Sequence, residues 1–140
     1  MEVSLERIND EYLFKGTGGS EVPVYIDNKT DVSPKGASPM ELLLMGIGGC
    51  SAIDVIMILK KQRQTITHYG VEVRGDRKEV KGAKPFEAMH VAIHLEGEID
   101  PAKALRAAKL SFEKYCSVSI TLEKSVAITY DLTLNGTVIS

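Results

Sequence analysis

Residues 38–64 read SPMELLLMGIGGCSAIDVIMILKKQRQ, and this stretch decides the fold. Ser38 supplies an N-cap hydroxyl, Pro39 suits the first helical position, and Glu41 places an acid in the first turn. The pattern predicts a helix from Pro39 to about Gln64, long for a globular protein. It is apolar nearly all round until Lys60-Lys61-Gln62-Arg63, and a helix apolar on every side lies inside something. Gly46, Gly48 and Gly49 each cost about 1 kcal/mol relative to Ala in a helix interior. Glycines this close together mark a place where another backbone approaches. A membrane span needs roughly 20 mostly apolar residues, and Leu42 to Leu59 is interrupted by these glycines, Ser51 and Asp54. The expectation is therefore a buried core helix, set between sheets or at a subunit contact.

The chain on either side reads mostly as strand. Val3 to Ile8 and Glu11 to Lys15 form two strands around an Asn9-Asp10 turn, and Gly16 to Ser20 is a loop. Val22, Val24 and Ile26 alternate on a third strand, followed by a polar loop from Asp27 to Ser38. Beyond the helix, Gly70 to Glu79 forms a strand. Another begins at Pro85, with Met89, Val91, Ile93 and Leu95 on one side and Ala88, His90, Ala92 and His94 on the other. Asp100 caps a second helix with Pro101 in its first turn and Leu105, Ala108, Phe112 and Tyr115 on its inner face. Cys116 stands at that helix's end, and Ser117 to Glu123 forms a short helical turn. Val126, Ile128, Tyr130, Leu132 and Leu134 mark a last strand closed by Asn135-Gly136. The order βββ-α-ββ-α-β is α+β with largely antiparallel pairing.

With 140 residues, 44% hydrophobic and 26% charged, one globular domain over 1–140 is expected. The net charge of -2 gives no basic excess to coat a nucleic acid. The N-terminus MEVSLERINDEYLFKG lacks a basic segment followed by an apolar one, so no secretory signal is read there. A cytoplasmic protein is expected.

In that compartment thiols stay reduced, so Cys50 and Cys116 are not expected to form a structural disulfide. Two thiols are too few for a structural zinc site unless histidines join them. His90 and His94 lie on a strand, where four residues span roughly 13 Å, too far for one metal. Each cysteine reads either as a small buried hydrophobe or as half of a functional pair that meets only in the fold. The functional reading needs a cation beside Cys50. Leu43, Ile47, Cys50, Asp54 and Met57 share one helical stripe, and an ionised Asp54 nearby would raise the thiol pKa.

The run from Ser38 to Cys50 resembles the SP-x-E-L-L-x-x-(A/G)-x-(A/G)-x-C segment of the OsmC/Ohr superfamily. Lys114-Tyr115-Cys116-Ser117-Val118-Ser119 resembles that family's second cysteine motif. The element order and length are similar over nearly the whole chain. The resemblance implies an intertwined homodimer with two long central helices packed together and sheets wrapped around them. It also implies a thiol peroxidase acting on organic hydroperoxides, with Cys50 as the peroxidatic thiolate, Cys116 as the resolving thiol and a dithiol as reductant. No metal, flavin or haem cofactor is implied.

The sequence departs from the peroxidase branches at two points. There, a Glu directly after the helix-start Pro pairs with an N-terminal Arg that activates the cysteine. Here Met40 follows Pro39, and the acid comes one residue later, at Glu41. Glu41 is nine residues before Cys50, about two and a half turns, which puts it on the opposite side of the helix. Arg7 is the only arginine before Cys50 and so the candidate guanidinium; Lys29 and Lys35 are other candidate cations. The pattern resembles the YhfA-like branch. The rival expectations are a non-catalytic member binding a small apolar ligand at the dimer interface and a structural or regulatory dimer with two core cysteines.

Overall fold

The structure, a computed structural model, describes residues 1–30 and 32–140; Asp31, within the stretch read as a loop, lies outside them. The chain forms two compact units, Met1–Leu43 and Leu44–Ser140.

The first unit is a three-stranded antiparallel sheet of β1 (Ser4–Arg7), β2 (Phe14–Thr17) and β3 (Val24–Ile26), in that order. β2 begins later than the Glu11 to Lys15 expected, and Gly16 and Thr17 belong to the strand rather than to a loop. The cause is local. The Asn9 side-chain oxygen accepts the N–H groups of Glu11 and Leu13 at 3.0 and 3.1 Å. The backbone up to Leu13 is thereby held in a wide turn, away from strand pairing. Past β3, the buried Asp27 carboxylate accepts from the backbone of Asn28 and Lys35 at 2.8 and 2.9 Å, which ties the two ends of the loop together. Gly36 passes so near Tyr25 that a Cβ would sit 2.6 Å from its carbonyl.

Helix α1 runs from Pro39 to Lys61. The Ser38 hydroxyl accepts the Glu41 N–H at 3.2 Å, and the Glu41 carboxylate accepts the Ser38 N–H at 3.1 Å. This is a capping box, which satisfies two N-terminal donors reciprocally. The helix stops short of Gln64 because Arg63 takes a left-handed φ of 57°. β4 can then start at once, earlier than the expected Gly70.

The second unit holds a sheet in the order β4 (Thr65–Arg77), β5 (Phe86–Glu98), β6 (Ala127–Leu134), β7 (Thr137–Val138). β4–β5 and β6–β7 are antiparallel, but β5 and β6 run parallel, against the largely antiparallel expectation. Parallel neighbours need a crossover, and α2 (Pro101–Leu110), a π-helical turn (Ser111–Tyr115) and α3 (Ser117–Leu122) provide it. Asp100 caps α2 as expected, accepting from Ala102 and Lys103.

β5 alternates as its sequence predicts, with Met89, Val91, Ile93 and Leu95 all buried. On the other face His90 bonds Thr129 Oγ1 at 2.7 Å and Asp131 Oδ2 at 2.9 Å, across the parallel pair. The inner face of α2 is Ala104, Ala107 and Ala108, continued by Ser111 and Phe112. Leu105 is only half-buried, and Tyr115 is exposed because the π turn shifts the helical phase before it is reached. Phe112 stacks on Tyr130 with ring centroids 4.4 Å apart. β7 was not expected. Asn135 and Gly136 take φ of 48° and 81°, the two-residue hairpin geometry for which Asn-Gly is suited.

The second unit's part of α1 buries Ile47, Gly48, Ser51, Val55 and Leu59. Gly48 is explained within the chain: a Cβ there would stand 3.0 Å from Val73 Cγ2, so its smallness lets the helix lie close on β4. Gly49 has open space around it. Met45, Ile53 and Met57 are exposed, and 28% of the helix's most apolar window is buried. Among the described residues, Met45, Ile53 and Met57 therefore mark a side of α1 that is not covered.

Candidate functional site

The two cysteines meet. Cys50 Sγ, Cys116 Sγ and a carboxylate oxygen of Asp54 all lie within 4.8 Å of one another. Helix periodicity places Asp54 one turn after Cys50. Cys116 arrives from the crossover, and a local irregularity aims it. The π turn closes with the Cys116 N–H donating to the Ser111 carbonyl at 2.7 Å. A π turn holds one residue more than the α geometry would, and such turns recur at functional sites. Cys116 then leaves the helix with extended backbone, φ -71° and ψ 99°, and its sulfur accepts the Ser119 N–H at 3.4 Å as the cap of α3.

The sulfurs differ in exposure. Cys50 is half-buried, and Cys116 is fully buried. Burial pushes the Cys116 thiol pKa up. The Ser119 hydrogen bonds pull the other way, while its hydrogen bond with Cys50 and the charge of an ionised Cys50 add to the rise. Burial thus favours the thiol form of Cys116, and the half-exposed Cys50 is reachable from outside.

Asp54 is itself positioned. The buried Ser111 hydroxyl donates to Asp54 Oδ2 at 3.0 Å, with the Ser51 carbonyl 3.5 Å from the same hydroxyl. Asp54 also lines a cleft of about 410 Å³ with Met57, Ile58, Lys61, Gln62, Leu110 and Tyr115. Mostly apolar walls with few polar groups are usual for small-molecule sites. Tyr69 has its hydroxyl buried without a hydrogen-bond partner among the described residues. Burial raises its pKa, and the Asp54 charge adds to the effect.

The other residues singled out in the sequence have local partners. Arg7 donates from Nε to the Glu11 carbonyl at 2.9 Å and from a terminal nitrogen to the Asp10 carbonyl. Glu41 is the acid of the capping box; its hydrogen bonds to Ser38 hold its pKa below the usual carboxylate value. The Lys35 N–H is bound to Asp27, and the charge of Lys29 helps lower the Glu41 pKa. Sequence reasoning missed Ser111 and Lys61. No motif marks the serine, while Lys61 read only as part of the helix's basic end.

The sequence pattern of the OsmC-like protein family matches residues 32–131. Protein YhfA of Escherichia coli (strain K12) is 40% identical over 121 residues, 84% of this chain and 86% of that protein. A hypothetical protein from Aquifex aeolicus VF5 superposes with a TM-score of 0.81 at 32% identity, over 96% of each chain. The organic hydroperoxide resistance protein OhrB of Bacillus subtilis shares the fold, with a TM-score of 0.64 at 17% identity over 94% of this chain and 96% of that one.

Proposed function

Because the chain belongs to the OsmC-like family, as a YhfA-like member of the OsmC/Ohr superfamily, we propose that its peroxide-related stress role is thiol-dependent reduction of organic hydroperoxides. The observation that carries this reading is the Cys50–Cys116 juxtaposition. The hydroperoxide resistance named for OhrB is consistent with it.

The half-buried Cys50 attacks the terminal peroxide oxygen as a thiolate. The O–O bond breaks, the alkoxide takes a proton and leaves as an alcohol, and Cys50 becomes a sulfenic acid. Cys116 then attacks that sulfur. The S–S bond forms, and the departing hydroxide leaves as water with the Cys116 proton. A dithiol reopens the disulfide by exchange and is itself oxidised, so the two electrons taken by the peroxide are replaced. The neighbouring cleft, which meets the sulfurs through Asp54, has apolar walls at Met57, Ile58 and Leu110 that would favour an organic peroxide over hydrogen peroxide. Arg7 and Glu41 stay candidates from the sequence alone in this reading, Arg7 as the guanidinium for the reacting sulfur; Glu41 stands one residue past the family's acid position and is engaged with Ser38. The working unit is a homodimer in the cytoplasm, with no nucleic-acid or membrane partner.

The test is consumption of cumene hydroperoxide by the reduced protein with a dithiol. Wild type should turn over, and Cys50→Ser should be inert. Without dithiol, Cys116→Ser should consume about one equivalent per chain and stop at a trappable sulfenic acid, where wild type stops at the disulfide. Equal rates for wild type and Cys50→Ser would overturn the proposal. The rival reading, a non-catalytic binder of a small apolar ligand, draws on the same cleft and on Met40 at the family's acid position. It expects slow alkylation of Cys50 near pH 6, whereas a peroxidatic thiolate alkylates rapidly there.

A further inference from the structure

The sulfur cluster has a property that peroxide chemistry does not use. It offers two thiols and a carboxylate converging on one point, with their donor atoms within 4.8 Å of one another. We infer that the reduced protein binds one zinc ion per chain through Cys50, Cys116 and Asp54, and that this reversibly withholds Cys50 from peroxide.

The donor set fits the ion. Tetrahedral zinc at about 2.3 Å from sulfur and about 2.1 Å from oxygen separates its donors by roughly 3.6–3.8 Å. That lies inside the observed limit, so closure needs only side-chain adjustment. Two thiolates select a soft or borderline cation such as Zn²⁺ over Mg²⁺ or Ca²⁺, which require shells of oxygen ligands. Three protein donors leave the fourth position for water. The carboxylate is already oriented, since the buried Ser111 hydroxyl donates to Asp54 Oδ2 at 3.0 Å. Such outer hydrogen bonds fix a ligand's geometry and are worth about 10–100-fold in metal affinity. Histidines are not required: among the described residues His90 is engaged with Thr129 and Asp131, and Asp54 supplies the third donor.

Binding releases the Cys116 proton, and that of Cys50 as well where Cys50 is not already a thiolate, and no electrons move. Oxidation to the Cys50–Cys116 disulfide removes both sulfur ligands, so the oxidised protein should not hold the ion. The binding stands apart from the proposed activity; the regulation rests on it.

The experiment uses reduced full-length protein freed of dithiol, with Zn²⁺ alone partitioned against a chromophoric chelator. One ion per chain is expected, with proton release. Cys50→Ser and Cys116→Ser should each abolish tight binding, and Ser111→Ala should weaken it about 10–100-fold. Circular dichroism of each variant shows that it is folded. Co²⁺ should give thiolate-to-metal charge-transfer absorption that the disulfide form lacks. In single-turnover assays, stoichiometric Zn²⁺ should suppress peroxide consumption. Absence of zinc uptake by the reduced protein, or uptake that survives replacement of both cysteines, overturns the inference even if the zinc-free protein reduces peroxide. Zinc bound as described by a protein that is inert to peroxide overturns the proposed activity and leaves the metal site standing.

Discussion

Ser38 and Glu41 show how one side-chain pair fixes where the central helix begins. Each satisfies the other's backbone N–H, and Ser38→Ala should cost about 0.5–2 kcal/mol in chemical denaturation. The sign of the pH dependence follows from Glu41, whose folded pKa is lowered chiefly by hydrogen bonding to Ser38. A carboxylate held low contributes stability that is present above its unfolded pKa and lost as pH falls through the folded one. Glu41→Gln should therefore lag wild type near neutrality and converge with it in acid, below the ordinary value of 4.5; a constant gap between their melts at all pH values would contradict this. Tyr69 poses the converse case. Its buried hydroxyl has no partner among the described residues, and an unpaired buried polar group costs about 1–3 kcal/mol. Tyr69→Phe should hold or raise the melting temperature, and a clear drop would mean the hydroxyl is bonded. At this scale the sequence was legible where a residue acts on near neighbours. Ser38, Asp100 and the Cys50–Asp54 pair all follow from spacing along one helix. Ser111 was not legible, because its partner lies 57 residues away in the chain and a serine on an inner helix face carries no signal of its own.

Among the elements, those with strict periodicity were read correctly. β5 alternates through Met89, Val91, Ile93 and Leu95, and α1 starts at its predicted proline. The failures occur where a single residue shifts the phase. Asn9 delays β2 by taking two backbone donors. The π turn at Ser111–Tyr115 is the consequential case, since an extra residue there leaves the amphipathic pattern readable but displaces everything after it. Inserting one alanine after the exposed Glu113 should exceed the one surplus residue the π turn absorbs and turn Cys116 by about 100° relative to α2. The two sulfurs would then separate. The measurement is the thiol count after one equivalent of cumene hydroperoxide, compared with wild type. Retention of the Cys50–Cys116 disulfide in a folded insertion variant would show that the π turn does not position Cys116.

On the scale of the whole molecule, the unsatisfied feature is the flank of α1. Met45, Ile53 and Met57 are exposed along one stripe, and Gly49 between them has open space around it. Contiguous exposed apolar surface on a helix marks a contact with something else. By length and composition α1 could also cross a membrane, so the choice of cover has to be made on chemistry. Gly49 favours a second copy of the same helix, since a residue without a side chain lets two backbones approach closely. A symmetric contact also places the same stripe on both partners, so one surface answers itself. Wild type should sediment as a dimer, and Ile53→Glu should sediment as a folded monomer, because the substitution sets two like charges into an apolar contact that cannot hydrate them. Cosedimentation of wild type with lipid vesicles, or a monomeric wild type unaffected by Ile53→Glu, would exclude the paired-helix cover. The sequence expected α1 to be enclosed from its apolar circumference alone. Only the structure separates the side closed by β4, where Gly48 meets Val73, from the side where Met45, Ile53 and Met57 are exposed.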